Sequence, residues 1–333
     1  MDDLVAGIER IAAETAFSGA ARVDVDGAMA FGRAYGLAHR GHGIANTLDT
    51  RFGIASGTKG LTALAVVRLI EDGRLALDTT VRSVLGDDLP SIGGDVTVEH
   101  LLAHRSGIGD YLDEGAHGDI DDYAMPVPVH ELAATERYVR ALDGHPSVFA
   151  AGERFAYNNG GFVVLALIAE RVAGVLFADL VVDRVCAPAG LLRTGFPRSD
   201  ALPGDAALGY LTDGDRTNVF HLPIVGSGDG GAYSTLADVH ALWAAFFGGR
   251  IVALEWVAEM VRPHSDAPEH AKRYGLGFWL AATGDAAMLE GYDAGVSFRT
   301  RHDPTKRRAY TVVSNTSEGA WPLVRFLDEW ADA

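Results

Sequence analysis

The stretch Ser56-Gly57-Thr58-Lys59 follows a predicted short strand, residues 51–55, and opens a predicted helix, residues 61–70. Side chains three positions apart share one face of a helix, so the serine and the lysine can meet. A serine hydroxyl becomes a nucleophile when a nearby base takes its proton, and an amine with a lowered pKa can do so. The start of a helix also stabilises an anionic intermediate. The stretch therefore predicts nucleophilic catalysis by Ser56.

Residue counts show how specific this match is. The chain has 13 serines and three lysines among 333 residues, so chance gives about 0.1 matches to Ser-x-x-Lys. Lys59 is the only lysine in the first 271 residues of a chain that has 25 arginines. A single lysine where arginine is the usual cation indicates a need for a deprotonatable amine. The alternative is an exposed lysine in the first helical turn, and the motif by itself leaves both interpretations open.

A second motif, Tyr157-Asn158-Asn159, comes just before a predicted helix, residues 160–173. The chain has 10 tyrosines and five asparagines, so chance gives about 0.15 matches to Tyr-x-Asn. A tyrosine beside a lysine can act as a phenolate-type base, and an asparagine can hold a substrate amide. The alternative is a buried tyrosine followed by an asparagine that caps the helix.

Composition and charge narrow the class of protein. Apolar residues make up 48% and charged residues 22%, which is usual for a globular protein and excludes a disordered chain or a coiled coil. The net charge of −17 argues against nucleic-acid and membrane partners, because a negative field repels phosphate. The single cysteine, Cys186, leaves no intrachain disulfide, and no metal-ligand spacing occurs among the histidines. The acidic N-terminus lacks a signal-peptide pattern, so we expect a cytoplasmic protein without metal or cofactor.

The order of predicted elements indicates the fold. Strands are predicted over residues 20–25, 28–37, 51–55, 274–282, 287–290, 295–302 and 307–314. Helices are predicted over residues 4–15, 61–70, 98–103, 129–142, 160–173, 176–185, 236–247 and 318–330. Strands at both ends with helices between them predict an α/β (α+β) fold. We expect a discontinuous α/β domain, residues 1–77 and 231–333, a mostly helical domain, residues 78–230, and an active site between them.

Together and in this order, the two motifs resemble those of the serine β-lactamase and penicillin-binding-protein superfamily. The similarity is to the branch that contains class C β-lactamases, D-Ala-D-Ala carboxypeptidases, esterases and D-amino-acid amidases. Residues 69–78, 100–108 and 230–238 also resemble segments of this family, so the similarity covers most of the chain. It implies a β-lactamase-like fold, in which an antiparallel sheet from both termini is flanked by helices and a mostly helical domain is inserted.

The resemblance also implies a role for each motif residue. Ser56 would be the acylated nucleophile, Lys59 would help to activate it, and Tyr157 would be the general base and acid. Asn159 would bind substrate and hold Lys59.

The family's third motif, Lys-Thr-Gly or His-Thr-Gly on an inner strand, matches Tyr292-Asp293-Ala294 here, followed by Gly295. Gly295 would supply one oxyanion N–H and Ser56 the other. This match replaces the cation that holds a substrate carboxylate with Tyr292 and adds Asp293, which either faces the site or caps a turn. Arg299 and Arg301 are further sources of positive charge, and strand alternation does not say whether they reach the site.

These observations predict a serine hydrolase that forms an acyl-enzyme with small esters, amides or short D-amino-acid peptides. The alternatives are a D-Ala-D-Ala carboxypeptidase or β-lactamase, and a catalytically degenerate binding protein of the same fold. The expected partner is a small-molecule or short-peptide substrate. Two long predicted loops, residues 105–128 and 194–230, are candidates to close over it.

Overall fold

The computed structural model describes residues 1–112, 118–212 and 214–333. An eight-stranded antiparallel sheet forms its centre, and helices pack on both faces of this sheet. The arrangement confirms the predicted α/β (α+β) class, with an antiparallel sheet flanked by helices.

The helices and strands are numbered in chain order. The helices are α1 (Asp2–Glu14), α2 (Thr58–Glu71), α3 (Val81–Leu85), α4 (Val98–Leu102), α5 (Val139–Leu142), α6 (Asn159–Ala173), α7 (Phe177–Val181), α8 (Ala187–Ala189), α9 (Leu236–Phe247), α10 (Leu254–Met260) and α11 (Trp321–Asp332). The strands are β1 (Gly19–Val25), β2 (Ala28–Tyr35), β3 (Leu37–His39), β4 (Ile44–Ala45), β5 (Phe52–Gly53), β6 (Tyr233–Ser234), β7 (Ser265–Ala267), β8 (Lys272–Tyr274), β9 (Trp279–Ala281), β10 (Ala287–Asp293), β11 (Val296–Asp303) and β12 (Arg308–Ser314).

The two ends of the chain meet in one sheet, whose strand order is β2-β1-β12-β11-β10-β9-β8-β7. Gly19 at the start of β1 pairs with Ser314 at the end of β12. The two-residue turn Asp26-Gly27, a pair of residues typical of hairpins, joins β1 to β2, and both of its residues have positive φ, 53° and 81°. Two such residues give the turn that matches the twist of a hairpin.

Helices α2 and α6 lie at the centre of the molecule because they are apolar on nearly all sides. Helix α2 packs closely on the sheet at Gly60, where an added Cβ would lie 2.5 Å from Leu289 Cδ2. A larger residue at this position would have to displace the buried Leu289 side chain, so glycine favours the close approach. The packing places the start of α2, and with it Ser56, beside β10.

Helices α1 and α11 cover the opposite face of the sheet. Their apolar stripes, which include Ile8 on α1 and Leu323 and Leu327 on α11, are buried together with Val312 of β12. Apolar residues spaced by three or four positions predict such a helix face, and both terminal helices were expected near these positions.

Two predicted elements are wrong. The predicted helix 129–142 is instead two 3₁₀ turns, residues 129–131 and 135–138, followed by α5. The Val129 and Leu132 carbonyls accept from the N–H groups of Ile224 and Val225, which removes these acceptors from a helical ladder.

The other element is the predicted strand 274–282, which divides into the ends of β8 and β9. Gly275 N–H donates to Phe278 O there, and Gly277 has a φ of 84° that reverses the chain. A local sequence pattern records the apolar residues on both sides of this turn but not the turn itself.

The prediction of two domains stays a prediction. The main cluster of buried apolar residues contains side chains from Ala20 to Val313. It includes residues of both predicted domains. Of the two predicted loops, residues 113–117 and 213 lie outside the described residues. Within the described ranges, no single helix is long and apolar enough to cross a membrane. One bent pair of segments, Asn159–Ala173 and Phe177–Ala189, has the necessary length and composition only when the two are taken together.

Candidate active site

Ser56 lies in a tight 3₁₀ turn, Ala55–Gly57, between β5 and α2. Ala55 has a φ of 44°, a conformation that is costly for a residue with a side chain and that occurs often at functional sites. The Thr58 hydroxyl donates to Ala55 O at 2.7 Å and accepts from Ala232 N–H at 3.1 Å. Buried hydrogen bonds thus hold the strained turn and present Ser56 at the start of the helix.

The buried Lys59 side chain lies within hydrogen-bond distance of Ser56. Its Nζ is 2.8 Å from Ser56 Oγ, 2.7 Å from Asn159 Oδ1 and 2.9 Å from Asp229 O. An ammonium group has three N–H donors, so three oxygen acceptors match the protonated form of the amine. The geometry favours Lys59 as a fixed cation beside the serine hydroxyl.

Tyr157 and Asn159 lie at the N-terminus of α6. The Asn158 side chain caps this helix by accepting from Gly161 N–H at 2.6 Å. Asn159 is therefore left to direct its Oδ1 to Lys59, and its Nδ2 donates to Leu112 O at 2.9 Å. The Lys59 Nζ lies 4.8 Å from the centroid of the Tyr157 ring. The structure thus brings Ser56, Lys59, Tyr157 and Asn159 together around one cation.

Three other polar residues lie around this group, and none of them was predicted to have a role: His104 and Asp229 are buried, and Asp110 is partly buried. Burial raises the pKa of Asp229, whose carboxylate accepts from the Tyr111 hydroxyl. Burial, and then the Lys59 charge, hold the pKa of His104 well below its usual range. Burial raises the pKa of Asp110 to about 6. All three lie within or next to the family-like segments 100–108 and 230–238. This position was the feature of the sequence that could have identified them as site residues.

Strand β10 forms the other side of the site. Gly291 lies against the serine turn, because an added Cβ would be 2.1 Å from Ile54 O. The strand can approach the turn only with glycine at this position. Strand β9 pairs with β10 only at Ala287 and Met288, so the end of β10 near Asp293 has an open edge toward the site.

Hydrogen bonds at both ends of β10 fix which backbone groups face this edge. Ala281 N–H donates to Ala286 O, so residue 286 directs its backbone groups toward β9, and so do the other even-numbered residues. At the opposite end, Asp293 pairs with Val296 across a two-residue turn, which requires bonds from Asp293 toward β11. Tyr292 therefore directs its N–H to the open edge. The N–H groups of Ser56 and Tyr292 are the candidate oxyanion donors.

This finding corrects the expectation for Gly295. Gly295 lies in the turn after β10, has a φ of 71° and donates its N–H to Ser317 Oγ at 2.8 Å. The glycine that contacts the serine turn is Gly291, three positions before Ala294. The sequence match placed the third motif three residues too late, because the position of the hairpin turn cannot be read from the motif alone.

The side chains of Tyr292 and Asp293 project to opposite faces of β10. The Tyr292 hydroxyl donates to Glu318 Oε1 at 2.6 Å, next to α11. Asp293 lines a small neighbouring cavity of about 60 Å³ together with Asp229 and Gly230. Neither side chain replaces the missing cation of the third motif.

An open cleft of about 300 Å³ leads to Ser56. We call it the serine cleft, and the described residues that line it are Ser56, Leu112, Tyr157, Asn159, Glu269, His270, Trp279, Glu290, Gly291 and Tyr292. This set contains no lysine and no arginine, but it contains two carboxylates.

The two arginines considered in the sequence analysis are buried elsewhere. Arg299 and Arg301 pair with Asp328 of α11 at 3.3 and 3.2 Å, and they are not among the described residues that line the serine cleft. Arg299 also contacts Glu290, which pairs with Lys272 at 2.9 Å. The positive charge of this face of the sheet is therefore already paired with carboxylates.

Comparison with known proteins gives a consistent result. A family model described as Beta-lactamase matches residues 5–327. The putative penicillin-binding protein PbpX of Bacillus subtilis (strain 168) is 27% identical over 272 residues, which are 80% of this chain and 63% of that protein. Esterase EstB of Burkholderia gladioli is 36% identical over 176 residues, 51% of this chain and 44% of that protein. The chain thus spans less than two thirds of the length of these relatives.

Solved structures extend the similarity to the whole chain. The penicillin binding protein from Bacillus halodurans superposes with a TM-score of 0.90 at 35% identity, over 97% of this chain and 99% of that one. The D-amino acid amidase from Ochrobactrum anthropi SV3 superposes with a TM-score of 0.79 over 99% of both chains. Its 23% identity shows a common fold alone.

Proposed function

The chain belongs to the beta-lactamase family, and from this premise we propose that it cleaves small esters, amides or short D-amino-acid peptides through an acyl-enzyme on Ser56. The observation that carries the proposal is the 2.8 Å contact between Lys59 Nζ and Ser56 Oγ at the end of an open cleft. A nucleophile in contact with its activating group, beside a cleft that admits substrate, is the minimum arrangement for acyl transfer.

The contacts suggest a division of roles among the four motif residues. Ser56 Oγ attacks the substrate carbonyl, and its proton passes to the Tyr157 phenolate. The nearby Lys59 ammonium favours that phenolate, because opposite charge stabilises the ionised form. Asn159 fixes Lys59 from the far side.

The oxyanion of the tetrahedral intermediate is bound by the N–H groups of Ser56 and Tyr292. Tyr157 then gives its proton to the leaving alcohol or amine as the bond from that group to the carbonyl carbon breaks. In the second half, Tyr157 takes a proton from water, the resulting hydroxide attacks the acyl carbon, and the proton returns to Ser56 Oγ as the acid leaves.

The charge of the serine cleft indicates the substrate class. Its described lining has no lysine or arginine, and the lining carboxylate Glu290 is already paired with Lys272 and Arg299. A substrate carboxylate therefore finds no ion-pair partner among these lining residues, and it lies near the negative charge of Glu269. Neutral esters and amides, or peptides with a free amine, fit this lining better. The similarity to an esterase over half of the chain supports the same class.

A second candidate is a D-Ala-D-Ala carboxypeptidase or β-lactamase. It is favoured by the similarity to a penicillin binding protein over 97% of this chain at 35% identity. The contacts of Lys59 with Ser56 Oγ, Asn159 Oδ1 and Asp229 O argue against the third possibility, a degenerate binding protein.

The test is labelling with a fluorophosphonate probe, which reacts with activated serines. We expect labelling of the wild type and no labelling of Ser56→Ala. The control variant is Ser83→Ala, which removes an exposed hydroxyl that donates to Thr80 O, and it should be labelled like the wild type. Short-chain p-nitrophenyl esters should block the label, and a penicillin should not. Protection by penicillin would favour the carboxypeptidase or β-lactamase, and absence of Ser56-dependent labelling in folded protein would favour the binding protein.

A further inference from the structure

We propose that His104 and Asp110 are positioning residues, which hold Tyr157 and Asn159 in their catalytic orientation through the backbone. The inference rests on the proposed function and concerns two groups that the acyl-transfer steps do not use, the buried His104 and the partly buried Asp110. Both belong to one segment, residues 104–112, which runs alongside the Tyr-x-Asn motif.

His104 contacts the chain on both sides of Tyr157. Its carbonyl accepts from Ala156 N–H at 2.9 Å, and its Nδ1 accepts from Asn158 N–H at 3.1 Å. Its ring also lies 4.4 Å from the Tyr157 ring, centroid to centroid. One residue thus fixes the backbone before and after the tyrosine and one face of its ring.

The position of His104 requires a neutral imidazole. Because Nδ1 accepts a hydrogen bond, the ring hydrogen is on Nε2. The ring is buried among aromatic rings, 4.9 Å from that of Phe162 and 4.7 Å from that of Tyr274. Burial and the Lys59 charge lower the pKa of His104, which agrees with a neutral ring at physiological pH. His104 also has a φ of 54°, a strained value that indicates a constraint from its surroundings.

Asp110 holds the adjacent turn that carries Asn159. Its Oδ2 accepts from Asn159 N–H at 2.6 Å, and its Oδ1 accepts from Gly160 N–H at 2.8 Å and from Leu112 N–H at 3.2 Å. Leu112 O in turn accepts from the Asn159 side chain at 2.9 Å. One carboxylate therefore aligns both the backbone of Asn159 and the carbonyl that orients its amide toward Lys59.

The ionisation of Asp110 should affect catalysis. A carboxylate accepts all three N–H bonds, whereas a carboxylic acid must place its own hydrogen among them. Burial raises the pKa of Asp110 to about 6, so we expect kcat to fall as the pH drops through this value. The titratable groups that interact with Asp110 are Lys59, Tyr111 and Tyr123, and the Tyr111 hydroxyl in turn donates to Asp229. Of these, Asp229 is the other carboxylate whose pKa burial raises, and it remains intact in the Asp110 variant.

The test of His104 uses two variants that separate its contacts. His104→Asn keeps an acceptor for Asn158 N–H and tolerates positive φ, and we expect kcat within about threefold of wild type. His104→Phe keeps an aromatic ring and loses the acceptor. We expect it to lose about 10- to 100-fold in kcat with little change in KM, since a small misplacement of a reacting group has this effect.

The test of Asp110 is Asp110→Asn, with Asp303→Asn as the matched control. Asp303 is buried and, like Asp110, accepts from backbone N–H groups, here those of Thr305 and Lys306. These three residues are not among the described residues that line the serine cleft. We expect Asp110→Asn to lose about 10- to 100-fold in kcat and to lose the acid limb near pH 6. Asp303→Asn should keep the wild-type kcat and pH profile.

The outcomes distinguish this inference from the proposed function. If wild type fails to hydrolyse p-nitrophenyl esters and is not labelled at Ser56, the proposed function fails. If wild type is active and folded Asp110→Asn and His104→Phe retain its kcat and pH profile, the positioning roles are wrong. If His104→Asn loses as much kcat as His104→Phe, the role of the His104 acceptor is wrong.

Discussion

The two walls of the serine cleft are built in different ways. On one wall, Lys59 and Asn159 are buried, and their polar atoms are held by short hydrogen bonds. On the other wall, Glu269 and His270 are exposed side chains, and β10 contributes through its backbone at Tyr292. The buried wall holds the reacting groups in one geometry. In the proposed mechanism the exposed wall contacts the rest of the substrate, so we expect selectivity to change there without disturbing the chemistry.

The strongest test of the buried wall is Tyr157→Phe, which removes the proposed base and keeps the ring contacts. We expect kcat for p-nitrophenyl acetate to fall about 10²- to 10⁴-fold, the range that general acid–base catalysis supplies. The control is Tyr35→Phe, which removes from β2 a hydroxyl that donates to Glu9 of α1. This variant should keep wild-type kcat. A Tyr157→Phe enzyme with wild-type kcat would show that another group takes the Ser56 proton.

The exposed wall can be tested through its backbone with Tyr292→Pro. Proline lacks the N–H, and Tyr292 directs its N–H away from β11, so no bond of the ladder is lost. We expect a loss of about 10²- to 10³-fold in kcat, as for removal of one oxyanion donor.

The matched variant for this test is Tyr292→Phe, which loses only the hydroxyl bound to Glu318. It should stay within about twofold of wild-type kcat, since exposed polar contacts of this kind contribute little. Equal losses in both variants would show that the side chain, and not the backbone N–H, is what matters at this position.

Sequence patterns located the residues of the buried wall. Ser56, Lys59, Tyr157 and Asn159 lie together in the structure, and their catalytic roles stay a prediction. Side chains proposed to react can be found from sequence because their types and spacing carry the signal. The strands that close the sheet were also predicted, because alternation and the Asp26-Gly27 turn are local signals.

The exposed wall was predicted poorly for a physical reason. Nearly every residue type supplies a backbone N–H, so the residue type of Tyr292 does not indicate its proposed role as an oxyanion donor. Its position depends on where the β10–β11 hairpin turns, and a register error of three residues directed attention to Gly295 instead. The proposed positioning residues Asp110 and His104 were missed because their contacts are to neighbouring backbone groups, which leave no residue pattern in the sequence.

The ionised Asp110 carboxylate, next to the buried wall, should lower the free energy of unfolding by a measurable amount. The pKa of Asp110 is raised from 3.8 to about 6 in the folded protein, so the folded state binds a proton more readily than the unfolded state between these values. Stability therefore falls as pH rises through this window. Relative to wild type, Asp110→Asn should gain on the order of 2–3 kcal/mol in free energy of unfolding between pH 4 and pH 7. Urea denaturation at both pH values measures this difference, and a pH-independent difference would contradict the assignment.

The smallest expected effect is on substrate choice at the exposed wall. Glu269→Lys places a cation among the described cleft residues, which have none. We expect kcat/KM for a carboxylate-bearing ester to rise about three- to tenfold relative to its neutral analogue, and the gain to shrink at high salt because exposed charges are screened. Glu255→Lys, the same charge change on the exposed side of α10, should leave the ratio unchanged. An equal gain in both variants would indicate a general effect of net charge.

The central claim is that Ser56 carries the acyl group during turnover. The direct measurement is mass spectrometry of protein quenched with acid during hydrolysis of a slowly deacylated p-nitrophenyl ester, followed by proteolysis to locate the added group. We expect one acyl group on the peptide that contains Ser56, together with a burst of p-nitrophenol equal to the enzyme concentration, and neither in Ser56→Ala. Turnover by wild type without an acylated peptide or a burst, or turnover that persists in Ser56→Ala, would contradict the account.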